Sequence, residues 1–564
     1  MRFSTSTCVA ALLAAAELVS AGRSFQHVGK KSPKQHAKKH ERRAIPDPNE
    51  KRAVLEPRYL TNASERYVVN GTAIPDVDFD IGESYAGLMP ITKQLNETDE
   101  FYFWFFPSEN PLADDEILIW LNGGPGCSSL EGLLQENGPF LWQYGTYKPV
   151  QNPWTWVNLT NVVWVEQPIG TGFTRGTPSA TSETDVAAQF LGWWENFVDT
   201  FELHGRKVFI SGESYAGYYV PYIADAMLNT NNTEYYNLEA TMIYDPSTTY
   251  DAIANQAVTL DFVNYWGGLF PFNDTYREYI TNMSSTCGYT DYVNEFLVYP
   301  PSGLQPVPEK LPGVDEDGST TEDCDIWDSV FNEILVVNPC FDVYQVATTC
   351  PVLWDVLGFP GSFEYLPEGA EIYFNRTDVQ QAINAPVGLW EECNSQVDVF
   401  VNNTDNSAPS FTTVMPGVIE RSKRTVIGHG ALDMILLANG TLIGIQNMSW
   451  GGELGFTQKP SDPFYIPYHD YISDSTLAAS GVFGTTHTER GLTWVGIDLA
   501  GHMIPQYAPS AAYRHLEFLL GRIESLSSTV PFTTDAYPQP NSTLGNGTAP
   551  AYRERRRSPG LLWE

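Results

Sequence analysis

An α/β architecture is predicted from three observations: a mixed, mostly parallel sheet with helices on both faces and an inserted cap. Lys207 to Leu228, KVFISGESYAGYYVPYIADAML, reads as strand, tight turn and helix, because a β-rich apolar run at 208–210 gives way to a glycine-bounded turn and then to helical apolar spacing. FYFWFF at 101–106 and the run Ile117 to Leu121 read as two strands parted by a polar, Pro-containing turn, the second leading straight into a Gly-rich loop. From about 240 to 375 the chain carries four cysteines, the Pro-rich YPPSGLQPVPEKLPG and the acidic DEDGSTTED, far more than one strand and one helix need, and this is the predicted cap.

The first element centres on Ser214. Gly-Glu-Ser-Tyr-Ala-Gly at 212–217 is a variant of the G-x-S-x-G elbow, with Ala216 in place of the second glycine; small residues let a nucleophilic serine occupy a sharp turn above a sheet. The hexapeptide occurs twice, since 82–87 has the same residues around Ser84. Ser84 follows the charged PDVDFDI and precedes an extended-looking stretch, so it lacks the helix N-terminus and backbone N–H groups that stabilise an oxyanion. Context selects Ser214.

Length and composition bound the rest. The 564 residues, 42% apolar and 13% aromatic, suffice for one large domain with an insertion. A formal charge of −36 excludes a basic nucleic-acid-binding face and suits a protein of acidic media. Residues 1–21 read as a signal peptide: Arg2, the apolar CVAALLAAA and a small-residue cleavage site at Val19-Ser20-Ala21. The basic segment 22–58 reads as a propeptide with Lys51-Arg52 as a processing site, 59–530 as the catalytic domain, and 531–564 as a disordered tail without a hydrophobic anchor. Thirteen glycosylation sequons between Asn62 and Asn546 agree with export. So do the six cysteines left once Cys8 departs with the signal; an even number implies disulfides, and no C-x-x-C spacing points to a metal. No later 18-residue apolar run predicts a membrane span. No cofactor is expected.

The loop Asn122-Gly-Gly-Pro-Gly-Cys-Ser-Ser lacks the spacing and the Gly-Lys-Ser/Thr ending of a phosphate cradle, and fits the loop that supplies one oxyanion donor in an α/β-hydrolase fold. Four motifs in order, WLNGGPGCSSLEG, NVVWVEQPIGTGF, ISGESYAGYYVP and GHMIP, closely resemble the series of the serine carboxypeptidases of the secreted or vacuolar fungal type, across most of residues 70–525.

The remaining catalytic groups follow from chain order, Ser then Asp or Glu then His. His502 opens a Pro-containing loop after the strand-like LTWVGIDLAG and stands at the family's catalytic histidine, whereas His515 falls within an amphipathic helix as a surface or packing residue. Asp433 lies just past a strand beginning at Arg424 and is preferred to Asp498, which is only four residues before His502. Here the chain departs from the family's Gly-Asp-x-Asp, reading Gly430-Ala-Leu-Asp433, and His429 is a candidate to replace the missing carboxylate.

The resemblance implies an acyl-enzyme mechanism at Ser214, with Gly124 and Tyr215 N–H groups as the oxyanion hole. It also implies that Trp120, Asn122, Gly123, Glu136 and Glu213 bind a substrate's C-terminal carboxylate. Two glutamates repel an anion unless they share a proton, which predicts release of C-terminal residues from peptides and proteins at acidic pH. By the same similarity Cys127 pairs with Cys393. For the cap a nested arrangement is expected, Cys287 with Cys350 and Cys324 with Cys340. The expected location is extracellular, with an acidic vacuole as the alternative. Rival readings are an acyltransferase or carboxylesterase on the same fold, or a non-catalytic binding protein.

Overall fold

The computed structural model describes residues 57–535 except 317, 359–368, 395–398, 402–404 and 470–479. The signal segment, all but the last two propeptide residues, and the tail beyond 535 therefore lie outside the described residues.

Ten strands form one twisted sheet: β1 (Tyr85–Pro90), β2 (Glu100–Phe106), β3 (Glu116–Leu121), β4 (Val162–Glu166), β5 (Lys207–Glu213), β6 (Asn237–Tyr244), β7 (Arg424–Gly430), β8 (Asp462–Ile466), β9 (Gly481–Glu489) and β10 (Leu492–Ile497). Their spatial order is β1-β2-β4-β3-β5-β6-β7-β10-β9-β8. The block from β4 through β10 is parallel, and antiparallel pairs flank it on both sides. β5 lies centrally, between β3 and β6, so the Gly-rich loop after β3 and the elbow after β5 leave the same sheet edge.

Unbroken apolar strands mark a sheet covered on both faces. In β2, Phe101, Phe103 and Phe105 pack into one apolar cluster while Tyr102, Trp104 and Phe106 pack into the other, the two-residue period of a strand. On the first face lies α1 (Glu183–Phe201), whose Val186, Phe190, Trp193, Phe197 and Phe201 recur at helical spacing and meet those phenylalanines edge-on. α2 (Ala216–Thr230), the helix after the elbow, shares this face. The residues after β10, including His515, cover the opposite face.

The segment between β6 and β7 holds α3 (Ala257–Tyr265), α4 (Asp274–Thr286), α5 (Tyr289–Phe296) and α6 (Ile326–Val337), which gather a third apolar cluster of their own. Cys127 and Cys393 are bonded, with Cα atoms 3.9 Å apart. The nested cap pairing is corrected: Cys287 bonds Cys324 and Cys340 bonds Cys350, at Cα separations of 5.8 and 5.2 Å. The reason is α6. Its 12 residues fill most of the chain between Cys324 and Cys340 and hold them about 18 Å apart at the helical rise, beyond the roughly 7 Å reach of a disulfide. The sequon residue Asn158 sits at the end of a short 3-10 turn. Among the described residues no helix is long and apolar enough to cross a membrane.

Candidate active site

Ser214 has φ +60°, a left-handed conformation that a non-glycine residue adopts only when its surroundings impose it. The imposition is visible. Its N–H donates to the Tyr244 carbonyl at the end of β6, and its carbonyl accepts from Ser247 and Gly217 N–H, each at 2.9 Å. A Cβ at Gly212 would lie 2.4 Å from the Leu121 carbonyl oxygen and one at Gly217 2.2 Å from that of Ser247, so both motif glycines are required by close approach of neighbouring backbone. Ser84 has no such setting. It is buried immediately before the edge strand β1, and no helix follows it.

The Gly-rich loop after β3 presses against this elbow. A Cβ on Gly123 would meet Tyr215 N at 2.5 Å and Ser214 Cβ at 2.7 Å, and Gly124 takes φ +108°. Neither the Gly124 nor the Tyr215 N–H donates to another backbone group among the described residues.

Asp433, three residues past β7, is wholly buried; its Oδ1 accepts from the Ile435 and Leu436 N–H groups, and its Oδ2 lies 2.8 Å from His502 Nδ1. His502 is held by its own N–H donating to Tyr344, from the cap segment. Burial draws the His502 pKa down, but the adjoining Asp433 carboxylate outweighs it and leaves the imidazole above its ordinary value. The rejected candidates separate cleanly. Asp498 is exposed, and His515 is fully buried with Nδ1 3.1 Å from the Tyr244 hydroxyl, a packing residue. His429 is buried against Trp494 and pushed down to about 4 by desolvation, so it stays neutral and does not stand in for a carboxylate.

Asn122 is fixed by donors that have no alternative. The Trp120 indole Nε1 donates to its Oδ1 at 2.7 Å and Gly132 N–H to the same oxygen at 3.3 Å, which turns Nδ2 toward Glu213 Oε1, 2.9 Å away, with Glu136 Oε1 at 3.4 Å. A third carboxylate, absent from the sequence reading, joins them: Glu131 Oε2 is also 3.4 Å from Asn122 Nδ2, and single oxygens of Glu131, Glu136 and Glu213 lie within 4.8 Å of one another. The helical turn Ser129–Glu131 continues as a π-helix over Gly132–Asn137, and its wider turn lets residues five apart share a face. Burial raises all three carboxyls: Glu131 to about 8, with Asp355 nearby; Glu136 well up, with Glu131 adding to it; and Glu213 well up, with Glu136 adding to it. The outer oxygens of Glu136 and Glu213 have no protein partner. Carboxyls so crowded hold protons, and a protonated carboxyl can donate to an anionic ligand where an ionised one cannot. Asp245, directly after β6, is a further buried carboxyl that the sequence reading passed over.

The serine carboxypeptidase family model matches residues 75–521. The chain belongs to the serine carboxypeptidase family. A probable serine carboxypeptidase of Arthroderma benhamiae is 58% identical over 516 residues, 90% of this chain and 95% of the relative. The serine-type carboxypeptidase F of Aspergillus niger is 45% identical over 485 residues, 83% of this chain and 89% of that one. Among solved structures, the prohormone-processing carboxypeptidase Kex1(delta)p from Saccharomyces cerevisiae matches with a TM-score of 0.64 at 23% identity, covering 83% of this chain and 99% of its own, and so shares the α/β-hydrolase-like fold.

Proposed function

We propose that this serine carboxypeptidase releases residues from the free C-termini of peptides and proteins at acidic pH through an acyl-enzyme on Ser214. The observation that carries this reading is the ring of crowded carboxyls around a fixed Asn122, one of them, Glu213, adjacent to the nucleophile. At acid pH, shared protons on Glu136 and Glu213 let the pair donate to a substrate carboxylate beside Asn122 Nδ2 and the Gly123 backbone. Trp120 sets the amide's orientation. As pH rises the pair ionises, repels the same carboxylate, and KM increases. In the chemical step His502, held by Asp433, takes the Ser214 proton while Oγ attacks the scissile carbonyl. The Gly124 and Tyr215 N–H groups stabilise the oxyanion, a contribution of about 3 kcal/mol per donor in comparable sites. The imidazolium then protonates the leaving amine, and the same histidine activates water to free the acyl group. The three disulfides are consistent with an exported protein, extracellular or in an acidic vacuole.

Blocked dipeptides that differ only in a free or amidated C-terminus test the reading at pH 4.5. The free acid is expected to be turned over with much the higher kcat/KM, whereas equal cleavage would identify an esterase-like or general hydrolase. In the Glu136→Gln, Glu213→Gln double variant the alkaline rise in KM is expected to vanish; its full retention would rule out proton sharing.

A further inference from the structure

Asp245 directly follows β6 in a left-handed conformation, φ +43°, and its side chain is wholly buried. Its N–H donates to the Gly428 carbonyl and its Oδ1 accepts from Gly430 N–H, both at 2.8 Å, so the carboxyl is clamped to the end of the strand that carries Asp433. Its Oδ2 has no donor. An Asp245 oxygen, an Asp433 oxygen and a His502 ring nitrogen lie within 4.8 Å of one another, and both carboxyls are wholly buried. Two buried carboxyls that close, with one imidazole between them, favour one shared proton over two ionised groups. Asp433 has Oδ1 facing two N–H groups and Oδ2 facing His502, whereas Asp245 Oδ2 faces no donor, so the proton is better placed on Asp245.

The groups facing Asp245 favour that proton. His429 from β7 has Nδ1 2.8 Å from Asp245 Oδ1, out of line for a hydrogen bond, and is neutral. Asp433 follows β7, His502 follows β10, Glu213 ends β5, Glu136 lies on the π-helix and Tyr244 precedes Asp245 on its own strand. Apart from His502, none of these carries a positive charge at any stage of turnover. Ala431 occupies the position where the family pattern has a carboxylate.

We propose that Asp245 carries a proton in the working enzyme and donates it from Oδ2 as a hydrogen bond to Asp433, a positioning residue that aims Asp433 at His502 and keeps one net negative charge behind the imidazole. Loss of that proton on alkalinisation puts a second charge there and repels the Asp433 carboxylate, so that the neutral His502 is no longer aimed at Ser214. The inference rests on Ser214, His502 and Asp433 being the catalytic groups, but not on the carboxylate-binding role of the glutamates.

The test is the rate at which an uncharged organophosphonate labels Ser214 between pH 4 and 9.5, a readout that needs no substrate carboxylate. Wild-type protein is expected to give a bell, rising as His502 loses its proton and falling as Asp245 does; a plateau to pH 9.5 would overturn the proposal without any variant. Asp245→Asn keeps an acceptor for Gly430 N–H and a donor for Asp433 but cannot ionise. It should label within about threefold of wild type at acid pH and lose the falling limb, and a bell retained in this variant assigns that limb to the glutamates and refutes the role. Asp245→Ala, with no donor, should label 10- to 100-fold more slowly while KM for an ester substrate stays level; wild-type labelling by this variant would equally refute it. If wild-type Ser214 is not labelled at any pH, the catalytic assignment itself fails and the proposal falls with it, whereas labelling without preference for free C-termini overturns only the substrate reading.

Discussion

Gly123→Ala tests the site geometry most directly. The added methyl would stand 2.5 Å from Tyr215 N, 2.7 Å from Ser214 Cβ and 2.8 Å from the Glu213 carbonyl, where ordinary contact begins at 3.4 Å. All three atoms are backbone or Cβ, so no side chain can rotate aside. The loop after β3 must retreat from the elbow by about 0.9 Å along its tightest contact, and that retreat carries the Gly124 N–H away from Tyr215 N–H. A misplacement on the order of 1 Å at a reacting centre costs about 100-fold in rate, and outright loss of one oxyanion donor costs about 10² to 10³ in kcat. The expected result is therefore a fall in kcat of at least about 100-fold on a small ester with no free carboxylate, with its KM little changed. Gly268→Ala is the control, since nothing lies within 4 Å of its added Cβ. Stopped-assay kcat, normalised to folded protein by near-UV circular dichroism, decides. A Gly123→Ala enzyme within threefold of the parent would refute both the close approach and the oxyanion assignment.

The duplicated hexapeptide gives a second expectation: Ser84→Ala retains kcat/KM within about twofold while Ser214→Ala loses essentially all of it, measured on a blocked dipeptide, and any large loss in the first would upset the choice of nucleophile. Stability should also rise on acidification from pH 7.5 to 5. Burial lifts Glu166 from 4.5 and Asp342 from 3.8, each to about 7, and lifts Glu183, Glu213 and Glu392 well up, so these groups bind protons in the fold that the unfolded chain has released. Their stabilisation is complete below the unfolded value and is lost as pH rises through the folded one, at about 1.4 kcal/mol per group per pH unit in between. His429 and His515, lowered to about 4 and about 3, act oppositely below pH 6.5 but are outnumbered. Urea midpoints at the two pH values check the sign, and a higher midpoint at pH 7.5 would contradict it.

Local rules made much of this molecule legible. The elbow is a contiguous strand, turn and helix, so sequence alone distinguishes Ser214 from Ser84. Asp433 and His502 sit just past strand ends, where parallel sheets collect their functional groups. Asp245 obeys the same rule, an acid directly after the apolar Met242-Ile243-Tyr244, and was detectable by it; its partner is 188 positions away, and only the pairing of β6 with β7 brings them together. Glu131 was hidden for a different reason. LEGLLQENG reads as an ordinary helix, in which residues five apart point in different directions, and the π turn that aligns Glu131 with Glu136 has no compositional mark. The cap disulfides failed because cysteine spacing carries no orientation, whereas a helix between two cysteines does.

That π turn also implies a fragility of length. An α-helix advances about 100° per residue. Wound as an α-helix of unchanged length, the segment would turn Glu136 about 140° away from Glu131 and out of phase with Asn122 and Glu213, whereas losing one residue as well would bring the two glutamates back to about 40° apart. Ser214, Asp433 and His502 come from other strands and would keep their places. The gathering of Glu131 and Glu136 around Asn122 thus depends on one extra residue accommodated in a single helical turn.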